Sequence, residues 1–212
     1  MTNSNVVIEP LSLPGTLQWP ERANSLVVFA HGSGSSRLSP RNIQVAHALN
    51  ARGIATFLFD LLRPEEEADR ANVFDIPLLA KRLTGAIWWL DEEKETGGLH
   101  VGLFGASTGA AAALIAAAEL GSRVEAVVSR GGRPDLALEV LPKVHAPTLL
   151  IVGGADTEVI TLNEIAFAHR QGPKSLVIVP GASHLFGEPG ALEQVIDHSA
   201  KWFELYLAAE TT

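Results

Sequence analysis

The stretch Gly102–Gly121, GLFGASTGAAAALIAAAELG, decides the fold. It opens as an apolar strand and continues as an alanine-rich helix, with Ser107 at the change, between Gly105 and Gly109. Two readings compete. The serine is an N-cap among small neighbours, or it is a nucleophile held on a sharp strand-to-helix turn of G-x-S-x-G type. The second reading explains the glycines, because side chains two residues either side of such a turn collide with neighbouring backbone. It also brings the unpaired N–H groups and positive dipole end of a helix beside the serine oxygen. The alanines fit a helix seated close to a sheet, and equally a simple helix preference. The pentapeptide alone leaves the choice open.

Outward from this stretch, short runs rich in Val, Ile, Leu and Phe alternate with helical segments. The runs SLVVFAHG, IATFLFD, HVGLFGAS, VEAVVSRG, APTLLIVGG and KSLVIVPGA read as strands. Such alternation predicts a mostly parallel central sheet with helices on both faces. Ahead of them, NVVIEPLSLPGTLQWP predicts an antiparallel edge pair turning at Pro14-Gly15. Ser39, Pro40 and Gly53 mark the start and stop of one helix. Asp75 caps another, with Ile76, Leu79, Leu83, Ile87 and Leu90 on one face and Gly97-Gly98 at its end. A last helix puts Leu192, Val195, Ile196, Trp202, Phe203 and Tyr206 on one stripe. The adjacent Trp88 and Trp89 cannot share a helix face, so one is expected in the core and one partly exposed. LLRPEEEADRANV reads as flexible, and GGRPDLALEVLPKVHA as a connection with one helix and no room for a cap domain. The expectation is a single domain over residues 1–212.

Composition bounds the function. The chain has 212 residues, 47% hydrophobic and 19% charged, a balance that forms a globular core without metal or disulfide support. It has no cysteine, which excludes disulfides, thiolate metal sites and a cysteine nucleophile together. The net charge of −8 and the lack of a basic patch argue against a nucleic-acid partner. No apolar run approaches the ~20 residues of a membrane helix, and the first residues lack a signal-peptide pattern. A cytoplasmic protein with no membrane partner is expected; the oligomeric state is left open.

In open parallel sheets, ligands bind beyond the carboxyl ends of the strands. Three of those ends carry Ser107, Asp156 and His184, in that order. His184 is suited to take the proton of the Ser107 hydroxyl and return it to a leaving group. Asp156 would fix the imidazole tautomer and stabilise its charged form; the rival reading is a turn-forming aspartate, and Glu158 is the only nearby substitute. Four of the seven histidines (His47, His100, His169 and His198) fall in helices or at a strand start and read as structural. A fourth strand end, HGSGSS, suits oxyanion stabilisation: the amides of Ser33 and of Thr108, the residue after the nucleophile, would face the developing charge, with Gly32 beside the substrate. The rival is a phosphate loop, which lacks the lysine of a Walker motif. Arg37, Arg41, Arg130 and Arg133 lie near these loops. They either meet a carboxylate or phosphate on the substrate or pair with Asp60, Asp75 or Asp135. Arg130, nearest a strand end, is the best substrate-binding candidate.

From about Leu26 to Leu207, VVFAHGSGSSRLSPRN, GLFGASTGAAAAL, VVSRGGRPDL, APTLLIVGGAD and VPGASHLF together resemble the α/β-hydrolase superfamily, and within it the small, lidless dienelactone-hydrolase-like proteins. The resemblance implies Ser107 as nucleophile, Asp156 as acid, His184 as base, Ser33 and Thr108 as oxyanion donors, and no metal or organic cofactor. True dienelactone hydrolases carry a cysteine nucleophile and a glutamate after the third strand. This chain has a serine and no carboxylate there, so the implied activity is that of a generic serine hydrolase of small esters or lactones. An acyltransferase using the same three residues, and a non-catalytic ligand-binding or regulatory module, are the alternatives.

Overall fold

The computed structural model describes residues 2–208. Eight strands form one sheet: β1 (Thr2–Ile8), β2 (Leu13–Trp19), β3 (Ser25–Ala30), β4 (Ala55–Phe59), β5 (His100–Ala106), β6 (Val124–Arg130), β7 (Thr148–Gly153) and β8 (Lys174–Val179). Their order across the sheet is β1-β2-β4-β3-β5-β6-β7-β8. The first two strands pair antiparallel to each other and β2 antiparallel to β4; all other neighbours are parallel. This is the α/β-hydrolase arrangement expected from the alternation of strands and helices.

The helices are α1 (Pro40–Asn50), α2 (Pro64–Glu67), α3 (Arg70–Val73), α4 (Ile76–Glu92), α5 (Thr108–Leu120), α6 (Thr157–His169) and α7 (Ala191–Tyr206). Burial is two-sided, so the central strands are apolar throughout rather than alternating: β3, β4 and β7 are buried at every residue. On one face, Leu79, Leu83 and Ile87 of α4, the alanines of α5 and Ala166 of α6 pack on Val28, Phe57 and Leu103. On the other, Val45 and Leu49 of α1 and Val195 and Phe203 of α7 pack on Phe29, Phe104 and Val128. Trp88 is 61% exposed, whereas Trp89 sits against the core with its ring 6.1 Å from Phe57. The caps at Ser39 and Asp75 form as expected: Ser39 Oγ accepts from the Asn42 N–H and Asp75 Oδ1 from the Leu78 N–H at 3.0 Å.

Four local expectations are corrected. The turn between β1 and β2 falls at residues 9–12, where Ser12 has φ +52°, and Pro14 and Gly15 lie inside β2. Gly15 is required there because a Cβ would lie 2.5 Å from the Phe57 ring. Helix α4 ends at Glu92, five residues before Gly97, in a turn where the Gly97 N–H donates to Glu93 O at 2.8 Å. The charged stretch after β4, read as flexible, folds into α2 and α3. Glu66 neutralises both Arg63 and Arg82, and Asp69 caps the Ala71 N–H. The connection from β6 to β7 holds two 3-10 turns, Pro134–Ala137 and Leu141–Lys143, instead of one helix. Pro142 lacks the N–H a continuous helix would need at that point.

The topology creates the crevice. From β3 the chain crosses to β4 on one side and then, through α4, to β5 on the other, so β3 and β5 are neighbours whose following loops leave in opposite senses. The loop after β3 and the turn after β5 meet at this switch point, where open α/β sheets bind ligands.

Candidate active site

Ser107 has φ +51° and ψ −124°, a conformation a non-glycine residue adopts at a cost of about 1–3 kcal/mol. Its glycine neighbours are there for space. A Cβ at Gly105 would lie 2.4 Å from Ala110 Cα, and one at Gly109 would lie 2.2 Å from Ala30 O. Backbone cannot yield to such contacts. The Ser107 backbone itself is held on both sides, its N–H donating to Arg130 O at 3.2 Å and its carbonyl accepting from the Arg133 N–H at 3.1 Å. Although Ser107 occupies the position before α5, its side chain makes no capping bond. The N-cap reading fails on that observation.

The hydroxyl instead meets His184, whose Nε2 lies 3.3 Å from Ser107 Oγ. On the far side of the ring, Nδ1 lies 2.6 Å from Asp156 Oδ2. A carboxylate only accepts, so Nδ1–H donates to Asp156 and Nε2 is left to accept from the serine. Asp156 also stands at a helix N-cap position, ahead of α6, and its side chain makes no cap there. Glu158 is exposed on α6. The His184 loop is drawn onto the end of β7, where a Cβ at Gly153 would lie 2.3 Å from Ala182 O. Glu188 staples the same loop by accepting the Ser183 N–H at 3.0 Å; the Ser183 hydroxyl first, and then this N–H, hold its carboxyl below the usual range.

The HGSGSS loop lies against the serine turn. A Cβ at Gly32 would lie 2.9 Å from Ser107 Cβ. The Ser33 N–H is engaged: it donates to Thr108 Oγ1 at 2.9 Å. His31, which the sequence reading passed over, organises the loop. Its Nδ1–H donates to Gly32 O at 3.0 Å, while its Nε2 accepts the Leu61 N–H at 3.1 Å. Burial pushes its pKa below the usual histidine value, which keeps this single neutral tautomer. The signal available in the sequence was a histidine directly at a strand end before glycine. A cavity of about 60 Å³ opens beside the loop, with Gly32, Ser33, Leu62 and Val73 in its wall.

The four arginines divide. Arg37 pairs with Asp60 through both its guanidinium and its backbone N–H, and Arg133 makes a two-bond pair with Asp135 at 2.8 Å each. Arg130 is different. It is 7% exposed, its guanidinium lies 5.9 Å from the centre of the Phe186 ring, and its Nε and Nη1 have no partner among the described residues. Burial, and then the like charge of Arg41, lower its pKa to about 10. Arg41 Nε is also without a partner. Among the described residues, no group of three or more His, Asp or Glu side chains is arranged to hold a metal ion, and no helix is long and apolar enough to cross a membrane.

The dienelactone hydrolase family model matches residues 14–205. The chain belongs to the dienelactone hydrolase family. It is similar to the crystal structure of a dienelactone hydrolase from Anabaena variabilis, 55% identical, with a TM-score of 0.93 and 98% of each chain covered. Est1E from Butyrivibrio proteoclasticus shares the fold at 15% identity, with a TM-score of 0.81 over 97% of this chain and 98% of that one. A Mycobacterium tuberculosis protein named as a putative phosphoribosyl transferase is 58% identical over 198 residues, which are 93% of this chain and 45% of that protein. The chain thus spans less than half the length of this relative. As a member of the dienelactone hydrolase family, the chain has the α/β-hydrolase fold.

Proposed function

We propose that the chain is a serine hydrolase of small esters or lactones, working through an acyl-enzyme on Ser107. The observation that carries the reading is the strained Ser107, its hydroxyl 3.3 Å from His184 Nε2, with His184 Nδ1 2.6 Å from Asp156. In the first half-reaction Ser107 Oγ attacks the carbonyl carbon while its proton passes to His184 Nε2. The carbonyl oxygen takes up the electron pair and is stabilised by the backbone N–H of Thr108 and by the adjoining loop, whose Ser33 N–H is bonded to Thr108 Oγ1. The intermediate collapses, and the imidazolium returns the proton to the departing alkoxide. Water then repeats the sequence on the acyl-enzyme, giving the acid and free Ser107. Asp156 holds the ring in the accepting tautomer and offsets its charge in both transition states.

The buried Arg130, with two guanidinium nitrogens unpartnered among the described residues and the like charge of Arg41 acting on it, supports a substrate bearing a carboxylate or phosphate. An uncompensated buried charge is costly, and an anionic ligand group would compensate it. Comparing a neutral and an anionic ester of the same acid tests this point: Arg130→Met should raise KM for the anionic ester alone.

The mycobacterial relative's name suggests phosphoribosyl transfer, but this chain spans 45% of that protein. A strained serine bonded to a histidine that is itself bonded to an aspartate serves acyl transfer and has no task in phosphoribosyl transfer. An acyltransferase would form the same acyl-enzyme and differ only in the acceptor. The reading is tested with p-nitrophenyl acetate in rapid-mixing experiments. A burst of nitrophenol equal to the enzyme concentration, absent from Ser107→Ala, is expected. Tight ligand binding without any burst would favour the non-catalytic alternative, and a rise in turnover with added alcohol or amine, at an unchanged hydrolysis rate, would favour the transferase.

A further inference from the structure

One hydroxyl group near the serine accepts a hydrogen bond while its own proton is unassigned. Thr108 Oγ1 accepts the Ser33 N–H at 2.9 Å. A hydroxyl also carries one proton to donate, and among the described residues no acceptor is paired with it. A threonine within a helix usually returns this proton to the carbonyl four residues back. Thr108 cannot do so in the ordinary way: it is the first residue of α5, and the fourth residue back is Phe104, inside β5. Nor is the group spread into solvent, since Thr108 is 6% exposed.

The position of this oxygen is what gives the proton a use. The amides suited to face a developing oxyanion are those of Ser33 and Thr108. Oγ1 is bonded directly to the first and belongs to the same residue as the second. A Cβ at Gly32 would lie 2.9 Å from Ser107 Cβ, so the loop that carries Ser33 closely approaches the turn that carries Ser107 and Thr108. We propose that the Thr108 hydroxyl is itself a catalytic donor to the oxyanion, joining the backbone amides. This rests on the acyl-transfer reading above. Accepting the Ser33 N–H polarises the O–H bond and strengthens its own donation, as in any hydrogen-bond chain at low dielectric. The Ser33 amide therefore acts on the oxyanion through the hydroxyl even while it remains bonded to it. No bond to Thr108 is made or broken, and no proton leaves it. As negative charge builds on the substrate oxygen the hydroxyl proton turns toward it, and it relaxes when the intermediate collapses.

The opposite role is also chemically possible: the hydroxyl could simply occupy the Ser33 N–H and compete with the oxyanion for it. The two roles predict opposite signs. The test uses the full chain with p-nitrophenyl acetate and the variants Thr108→Val, which keeps the shape and loses the hydroxyl, and Thr108→Ser, which keeps the hydroxyl. Thr108→Val should lose about 10- to 1,000-fold in kcat with KM changed by no more than about twofold, and Thr108→Ser should recover most of the loss. A Thr108→Val enzyme as fast as wild type or faster overturns the proposal, as does a Thr108→Ser enzyme as slow as Thr108→Val. Should the valine variant not melt cooperatively, Thr108→Ala is read on the same scale, and wild-type kcat there overturns it equally. A wild-type enzyme that neither cleaves the ester nor reacts with a fluorophosphonate would remove the acyl-transfer reading and this proposal with it. An active wild type with an indifferent Thr108 removes only this proposal.

Discussion

Replacing Asp156 with asparagine isolates one charge without changing the shape of the site. In the resting protein, His184 Nδ1–H donates to Asp156 Oδ2 at 2.6 Å. During acylation the ring becomes an imidazolium, and its charge centre is then about 4 Å from that of the carboxylate. Two unit charges at this separation attract by about 4 kcal/mol at an effective dielectric of 20, and by about 1 kcal/mol in bulk water. The His184 side chain is 38% exposed and that of Asp156 16%, so the true value lies between those limits. Each 1.36 kcal/mol is a factor of ten in rate, so Asp156→Asn should lower the acylation rate by about 10- to 1,000-fold. The asparagine can also turn its NH₂ toward Nδ1 and favour the wrong tautomer, which pushes the loss toward the upper end. KM should change little, because Asp156 acts on the ring and does not touch substrate. The assay is the burst phase with p-nitrophenyl acetate, with Glu158→Gln as the comparison. That variant should match wild type, since Glu158 is exposed and apart from the His184 ring. An Asp156→Asn burst within a factor of about 3 of wild type, or a larger effect from Glu158→Gln, would refute the reasoning.

Other outcomes follow from the packing. Gly109→Ala should cost about 2–4 kcal/mol, because its Cβ would meet Ala30 O at 2.2 Å and His31 O at 2.4 Å; a thermal melt should fall by roughly 4–15 °C. His31 is held neutral below the usual histidine pKa by burial. The unfolded chain therefore binds more protons than the folded one as pH falls below about 6.5, and stability falls with it. Urea titrations between about pH 5 and pH 7 should show that slope, and His31→Gln should flatten it. Arg170, 2% exposed, donates to Val144 O and, at 2.7 Å, to Ala146 O. Arg170→Met should strand those carbonyls and cost about 2–4 kcal/mol, with the burst amplitude of the folded fraction unchanged.

The parts of this protein that were legible in its sequence are those governed by short-range patterns. The central parallel strands were readable because strands buried on both faces have no reason to alternate, and β8, half-exposed at the sheet edge, keeps the same apolar run. That Ser107, Asp156 and His184 would come together was expected because each follows a parallel strand, and their side chains do lie within hydrogen-bonding distance in turn, Ser107 to His184 and His184 to Asp156. Contacts between distant segments left no such mark. Gly15 looked like a turn residue, and only the Phe57 ring on the adjacent strand β4 explains why a glycine lies inside β2. The acidic run around Glu66 looked flexible because Arg82, which fixes it at 2.6 Å, belongs to another helix. Arg130 and Arg41 were visible as arginines, but that they would face each other without an acid was not. Thr108 was read for its amide alone, because the partner of its hydroxyl, Ser33, lies 75 residues away in the chain.

The central claim is that Ser107 is an activated nucleophile. Intact-mass spectrometry after exposure to a fluorophosphonate, on wild type and Ser107→Ala side by side, tests it most directly. The account predicts one adduct on the wild-type chain and none on the variant. A folded wild-type chain that takes up no adduct, or a variant that takes up as much as wild type, would contradict it.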